Sequence, residues 1–141
     1  MRFWDSSAIV PLVCREVESS QCRAWLHTDP VIVVWAFTAP EVISALCRKR
    51  REGRLNQRTF VAAKARLHKI EQAWSEVVSY EAVRARARRL LETHPLSAAD
   101  ALQLAAALVV TEERPTGIEF VTFDTKLAEA ANKEGFKLLP G

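Results

Sequence analysis

Aspartate is scarce in this chain, and its placement is the first chemical signal. Only Asp5, Asp29, Asp100 and Asp124 occur among 141 residues. Asp5 closes an apolar run, Phe3-Trp4, and opens a helical pattern; Asp124 does the same after Ile118–Phe123. Asp100 stands three residues after Ser97 and Glu41 three residues after Thr38, each in the first turn of a helical stretch. Each position fits a helix cap. Thr38-x-x-Glu41 matches a capping box, Ser97-x-x-Asp100 approximates one, and Asp5 and Asp124 fit N-caps. A carboxylate there gains roughly 0.3–1 kcal/mol from the helix dipole alone. Taken together, the four allow a second reading. Helices that follow parallel strands start at one sheet edge, so these groups could converge despite their separation in sequence. Clustered carboxylates repel one another, and burial adds to that cost. A divalent cation offsets it, and Mg²⁺ or Mn²⁺ prefers carboxylate and water oxygens. The pattern is therefore either four separate caps or an acidic metal site.

Other chemistry finds little support. His27, His68 and His94 lack zinc-ligand spacing and read as surface or packing residues. No P-loop, G-x-G-x-x-G or G-x-S-x-G motif occurs. Ser6, Ser7 and Thr122 flank the acids, where ordinary helix-end roles are the expectation and hydrogen-bonding support of a site is the alternative.

The elements that would carry these groups follow from periodicity. Arg2–Trp4 reads as a short strand, then Ser6 to about Cys14 as a helix and Ser20–His27 as a second. Val31–Trp35, apolar and mostly β-branched, reads as a strand buried on both faces. A helix from Thr38 to Glu52 puts Val42, Ile43 and Leu46 on one face and stops at Gly53. Asn56 caps a helix carrying Phe60, Ala63, Leu67 and Ile70, and the short link predicts an αα-hairpin. Glu76–Ser79 is the next strand. Tyr80–Glu92 is a basic helix expected to pack on Val83, Ala87, Leu90 and Leu91, with Pro95 beyond its end. The Ala-rich stretch Ser97–Val110 forms a helix able to approach a sheet closely. Ile118–Phe123, Thr125–Glu134 and Phe136–Leu139 complete the pattern as strand, helix and strand, with Gly135 as the helix stop. Alternating strands and helices predict an α/β sandwich with a mainly parallel sheet, whose ligands sit outside the carboxyl ends of the strands.

Composition bounds the rest. Nearly half the residues are hydrophobic (49%) and 26% are charged, with only four Gly and six Pro, a globular mix expected to form a single domain over residues 1–141. The longest apolar stretches, Val31–Phe37 and Leu104–Val110, fall short of the ~20 residues of a membrane span, and no secretory signal is legible. Cys14, Cys22 and Cys47 form no C-x-x-C pair, which fits a reducing cytoplasm. The net charge of +3 hides an asymmetry: Arg48–Arg89 holds 13 Lys/Arg against four acids, while the remainder is acidic. A polyanion-binding face and a solvated helix surface both fit that run. The four Trp are expected in the core or an interface.

Four segments spanning nearly the whole chain resemble the PIN-domain ribonucleases, especially the VapC toxins of bacterial and archaeal toxin–antitoxin pairs. They are Phe3-Trp4-Asp5-Ser6-Ser7-Ala8, Pro40-Glu41-Val42-Ile43-Ser44-Ala45-Leu46, Ser97-Ala98-Ala99-Asp100-Ala101-Leu102, and Phe120-Val121-Thr122-Phe123-Asp124 followed by Leu127-Ala128. The resemblance implies a PIN-like three-layer sandwich and a Mg²⁺-dependent endoribonuclease, with Mn²⁺ as an alternative ion. Asp5, Glu41, Asp100 and Asp124 fall on the family's acidic positions, as metal-binding and catalytic residues. Asp5 and Asp100 are the first choices for direct contact with the ion, Asp124 follows, and Glu41 acts through water or orients the attacking one. Gln103 receives no role. Metal-activated water would attack the phosphodiester, while Arg48–Arg51, Arg54 and Arg84–Arg89 would hold the RNA backbone. Lying directly against the acids, those cations would pair with them and compete with the metal. The resemblance also implies a homodimer and a cognate antitoxin. Two rivals remain. A non-catalytic RNA-binding or protein-interaction domain of the same fold predicts binding without cleavage. A phospho-accepting receiver domain is disfavoured because Asp5 stands alone between Trp4 and Ser6 rather than in an acidic pair.

Overall fold

A computed structural model describes all residues, Met1–Gly141. Five strands form one sheet: β1 (Arg2–Trp4), β2 (Ile32–Trp35), β3 (Ser75–Val77), β4 (Glu119–Val121) and β5 (Lys137–Leu139). Their spatial order is β3-β2-β1-β4-β5, and every neighbouring pair is parallel. The helices are α1 (Ser6–Val13), α2 (Ser19–Thr28), α3 (Thr38–Arg51), α4 (Gln57–Glu71), α5 (Tyr80–Thr93), α6 (Ala98–Val110) and α7 (Thr125–Lys133).

The period of two in a strand divides the core. Phe3, Val33, Trp35 and Phe120 point to one side, against α5, α6 and α7. Trp4, Ile32, Val34 and Val121 point to the other, against α1, α2, α3 and α4. The central strands are buried on both faces, which is why Ile32–Trp35 carries no polar alternation; Val31, expected in the same strand, lies before it and is exposed. Three layers result. On the α5–α7 side, Ala101, Ala105, Ala106 and Ala107 are fully buried, and their small side chains bring α6 close to the sheet. The α3–α4 hairpin turns at Gly53, whose φ of +76° is the left-handed conformation a residue without a Cβ adopts freely.

Strand order sets the place for chemistry. From β1 the chain moves outward to β2 and β3, then returns to lay β4 on the other side of β1. The crevice between the carboxyl ends of β1 and β4 is thus a topological switch point, where open parallel sheets bind ligands.

The structure corrects two local expectations. Leu91 is 41% exposed; α5 buries Val83, Ala87 and Leu90, a stripe too narrow to include it. The third strand is Ser75–Val77 rather than Glu76–Ser79, an edge strand whose first two residues are exposed and give no apolar signal.

Candidate active site

Asp5 and Asp124 stand at the switch point because each ends a chain segment leaving an inner strand. Asp5 follows β1 directly, caps α1, and accepts a hydrogen bond from the Ser7 N–H (3.3 Å). Asp124 caps α7 through the Leu127 N–H at 2.8 Å. The expected capping roles are therefore real, but they occupy only part of each carboxylate.

The hydroxyls that flank the acids tie them together. Ser7 Oγ and Thr122 Oγ1 both donate to Asp5 Oδ2, at 2.6 and 2.9 Å. In turn Ser7 Oγ accepts from the Phe123 N–H (2.9 Å), and Thr122 Oγ1 accepts from the Asp124 N–H (3.1 Å). One oxygen of Asp5 is thereby fixed to the backbone that carries Asp124. Its other oxygen meets only Ser6 Oγ, at a long 3.4 Å. Ser7 and Thr122 thus support the acids directly, beyond the helix-end roles expected of them.

Glu41 departs from its expected cap. Helix α3 already begins at Thr38, after Phe37, and no side chain caps it. Glu41 Oε1 instead accepts from Ser6 Oγ (3.1 Å) and Gln103 Nε2 (3.0 Å), and the same amide nitrogen donates to Thr38 Oγ1 at 3.1 Å. Gln103 is fully buried, so sequence reasoning that gave it no role missed a residue that fixes Glu41. Its signal was present: a polar side chain on the apolar face of an Ala-rich helix needs a partner. Asp100 lies one turn before Gln103 on α6, and Ser97 Oγ accepts its N–H at 3.2 Å. Here the cap is Ser97, and the Asp100 carboxylate is left to the cleft.

Asp5, Glu41, Asp100 and Asp124 all line one open cleft of about 460 Å³, together with Ser6, Ser7, Glu16, Arg48 and Lys49. None of the four acids forms an ion pair. Lys49, the nearest lysine on the wall, pairs with Glu16 instead. Their electrostatics show the strain. Burial raises the Asp5 carboxyl above its ordinary value, opposed by the bonds from Ser7 and Thr122. Burial also raises Glu41, with Gln103 and Ser6 opposing and the charges of Asp5 and Asp100 adding to the rise. Asp100 is pushed up to about 6, first by burial and then by Asp124 and Asp5. These groups feel one another as like charges in a shared space.

That donor set suits a hard divalent cation. It is all oxygen and anionic, and neither Arg48 nor Lys49 on the wall pairs with it. No three Asp, Glu, His or Cys side chains close tightly enough to enclose a bare ion. Mg²⁺ asks for less: it retains several waters and takes one or two carboxylates directly. Of the basic residues expected to hold RNA, Arg48 reaches the wall of this cleft, whereas Arg84 and Arg88 line a separate shallow depression with Glu81. Arg86 is held by Glu113 and Glu134.

Known proteins resemble this chain in sequence and in fold. Ribonuclease VapC45 of Mycobacterium tuberculosis is 28% identical over 138 residues, covering 98% of this chain and 94% of that protein. Among solved structures, the VapC20 toxin of Mycobacterium tuberculosis superposes with a TM-score of 0.63 at 22% identity, over 92% of this chain and 95% of that one. FitAcB of Neisseria gonorrhoeae superposes with a TM-score of 0.67 at 17% identity, over 98% and 96% of the two chains. The PIN domain model matches residues 2–133, a span that includes all four carboxylates and all but the last strand of the sheet; the chain belongs to the PIN domain family.

Proposed function

We propose that this chain is a Mg²⁺-dependent endoribonuclease, and that Asp5, Glu41, Asp100 and Asp124 are its catalytic and metal-binding residues. The observation that carries the proposal is the meeting of four carboxylates, none paired with a cation, in one cleft at the sheet's switch point. Its relatives' names support the substrate class: VapC45 is a ribonuclease and VapC20 a toxin that cleaves the sarcin–ricin loop. On the same support the chain is the toxin of a type II toxin–antitoxin pair, a single-domain cytoplasmic homodimer restrained by a cognate antitoxin. No helix is long and apolar enough to cross a membrane.

The residues divide the work. Asp5 and Asp100 hold the ion, Asp5 through the oxygen that Ser7 and Thr122 leave free. Asp124 keeps one oxygen on its cap and offers the other to the cleft. Glu41, fixed at Oε1 by Ser6 and Gln103, orients a water, and its raised pKa makes it a better proton acceptor than an ordinary carboxylate. When bound, Mg²⁺ supplies a Lewis acid that acidifies water and neutralises charge developing on phosphoryl oxygens. Mn²⁺ meets the same oxygen donors.

The test is RNA cleavage by purified protein in Mg²⁺, in EDTA and with Asp5→Asn. Cleavage in Mg²⁺ alone, lost in the variant while its circular dichroism is unchanged, supports the proposal. RNA binding without cleavage in any divalent ion returns the chain to the rival reading of a non-catalytic domain.

A further inference from the structure

On the α1–α4 side one cavity adjoins the acidic cleft, and a second adjoins the first. The first, of about 600 Å³, lies around the α1–α2 turn, and it shares Glu16 with the acidic cleft. The second, of about 670 Å³, runs along the start of α4 and shares Cys14, Arg15 and Arg66 with the first. Arg15 and Arg66 line both, Arg23 lines the first, and Arg54 and Arg58 line the second. Arg15, Arg23, Arg58 and Arg66 are exposed and take part in no ion pair; only Arg54 is neutralised, by Glu52. Arg66 is also aimed, because its guanidinium donates to the Val13 carbonyl at 3.3 Å across from α4 to the end of α1. The Lys49–Glu16 pair stands at the junction between cleft and groove.

We propose that these linked cavities form a groove for the substrate beyond the acidic cleft, in which Arg15, Arg23, Arg58 and Arg66 bind phosphates of single-stranded RNA. This rests on the ribonuclease reading and adds a path for the strand to it. A phosphodiester whose scissile group lies among four carboxylates is repelled there except through the ion and Arg48 on the cleft wall, so further affinity must come from cations beyond the cleft. Guanidinium groups meet phosphate oxygens with paired N–H donors, which favours arginine for this task. The continuity of the three cavities puts these four arginines, rather than the charges of α5, along the strand.

The test measures binding of a labelled mixed-sequence single-stranded RNA to the full chain in EDTA, across a salt series. Each phosphate contact to a single strand contributes about −0.7 to the slope of log K against log salt. Arg15→Gln/Arg66→Gln should therefore flatten the slope by about 1.4 and weaken binding about tenfold at moderate salt. Arg23→Gln/Arg58→Gln should do the same, and these side chains make no internal hydrogen bond whose loss could disturb folding. Arg114→Gln/Lys133→Gln, of equal charge change, should leave both quantities alone. Unchanged binding in the folded groove variants overturns the proposal, as does an equal loss in Arg84→Gln/Arg88→Gln. A polyglutamate peptide that binds the same arginines more tightly than RNA assigns the groove to an acidic protein partner and also overturns it. The two readings separate cleanly: RNA held by these arginines but uncut in Mg²⁺ rejects the nuclease alone, and cleavage indifferent to them rejects the groove alone.

Discussion

Two groups of acids in this protein are treated in opposite ways. On the α5–α7 side, Arg86 Nε donates to both oxygens of Glu113 at 3.1 Å, while its other arm reaches Glu134 Oε1 at 3.1 Å. His94 Nε2 meets the remaining oxygen of Glu134 at 2.6 Å. Both carboxylates are matched by basic partners, the pattern of charges that serve the fold. In the cleft, four carboxylates share space with no ion pair among them, and Asp100 rises to about 6, first through burial and then through the charges of Asp124 and Asp5. A fold gains nothing from such repulsion unless something outside the chain relieves it. The mismatch, more than the number of acids, marks the functional region.

The sharpest way to break this comparison is Asp100→Asn, set against Glu134→Gln. In the cleft, loss of one metal-binding charge should cut the rate of Mg²⁺-dependent cleavage on the order of 10³-fold, about 4 kcal/mol, with the melting temperature unchanged or raised. At the paired cluster, Glu134→Gln should cost about 2 kcal/mol in urea unfolding by leaving Arg86 and His94 short of a partner, with cleavage intact. Equal catalytic losses in the two variants would erase the distinction. Smaller still, Mg²⁺ at ten times its dissociation constant should stabilise the folded chain by about 1.4 kcal/mol, and Asp100→Asn should blunt that response.

The weakest expected effect is on pH. In EDTA, the folded chain keeps the Asp100 proton up to about pH 6, whereas the unfolded chain releases it near the ordinary carboxylate value. Between those points the folded state binds more protons, so this group's contribution to stability falls as pH rises. Allowing for its partial exposure, the loss is about 1 kcal/mol. It should show as a difference in urea midpoints between wild type and Asp100→Asn that grows from acid to neutral pH and disappears in Mg²⁺.

Much of this architecture was legible before any coordinates. The doubly buried strand, Ile32–Trp35 within the expected Val31–Trp35, the hairpin at Gly53 and the places of Asp5 and Asp124 after strands all follow from local pattern. Asp100 was harder to place, because α6 follows a helix and the rule that aligns strand–helix junctions does not reach it. Glu41 misled in an instructive way. The Thr38-x-x-Glu41 spacing suits a capping box, but a buried Gln103 takes both side chains for itself, and no local rule anticipates a partner 62 residues away. Leu91 illustrates the limit of periodicity: it sits four residues after Ala87, yet α5 buries only a narrow stripe.

The hydroxyl bridge at Asp5 has a consequence for the order of events during synthesis. Thr122, which steadies Asp5, is made 117 residues after it. A growing chain therefore carries the Asp5 wall of its cleft before the opposite wall, which arrives only when the segment through Asp124 docks. A chain that stops short of Thr122 and Asp124 thus holds no assembled site, however well its first half is folded.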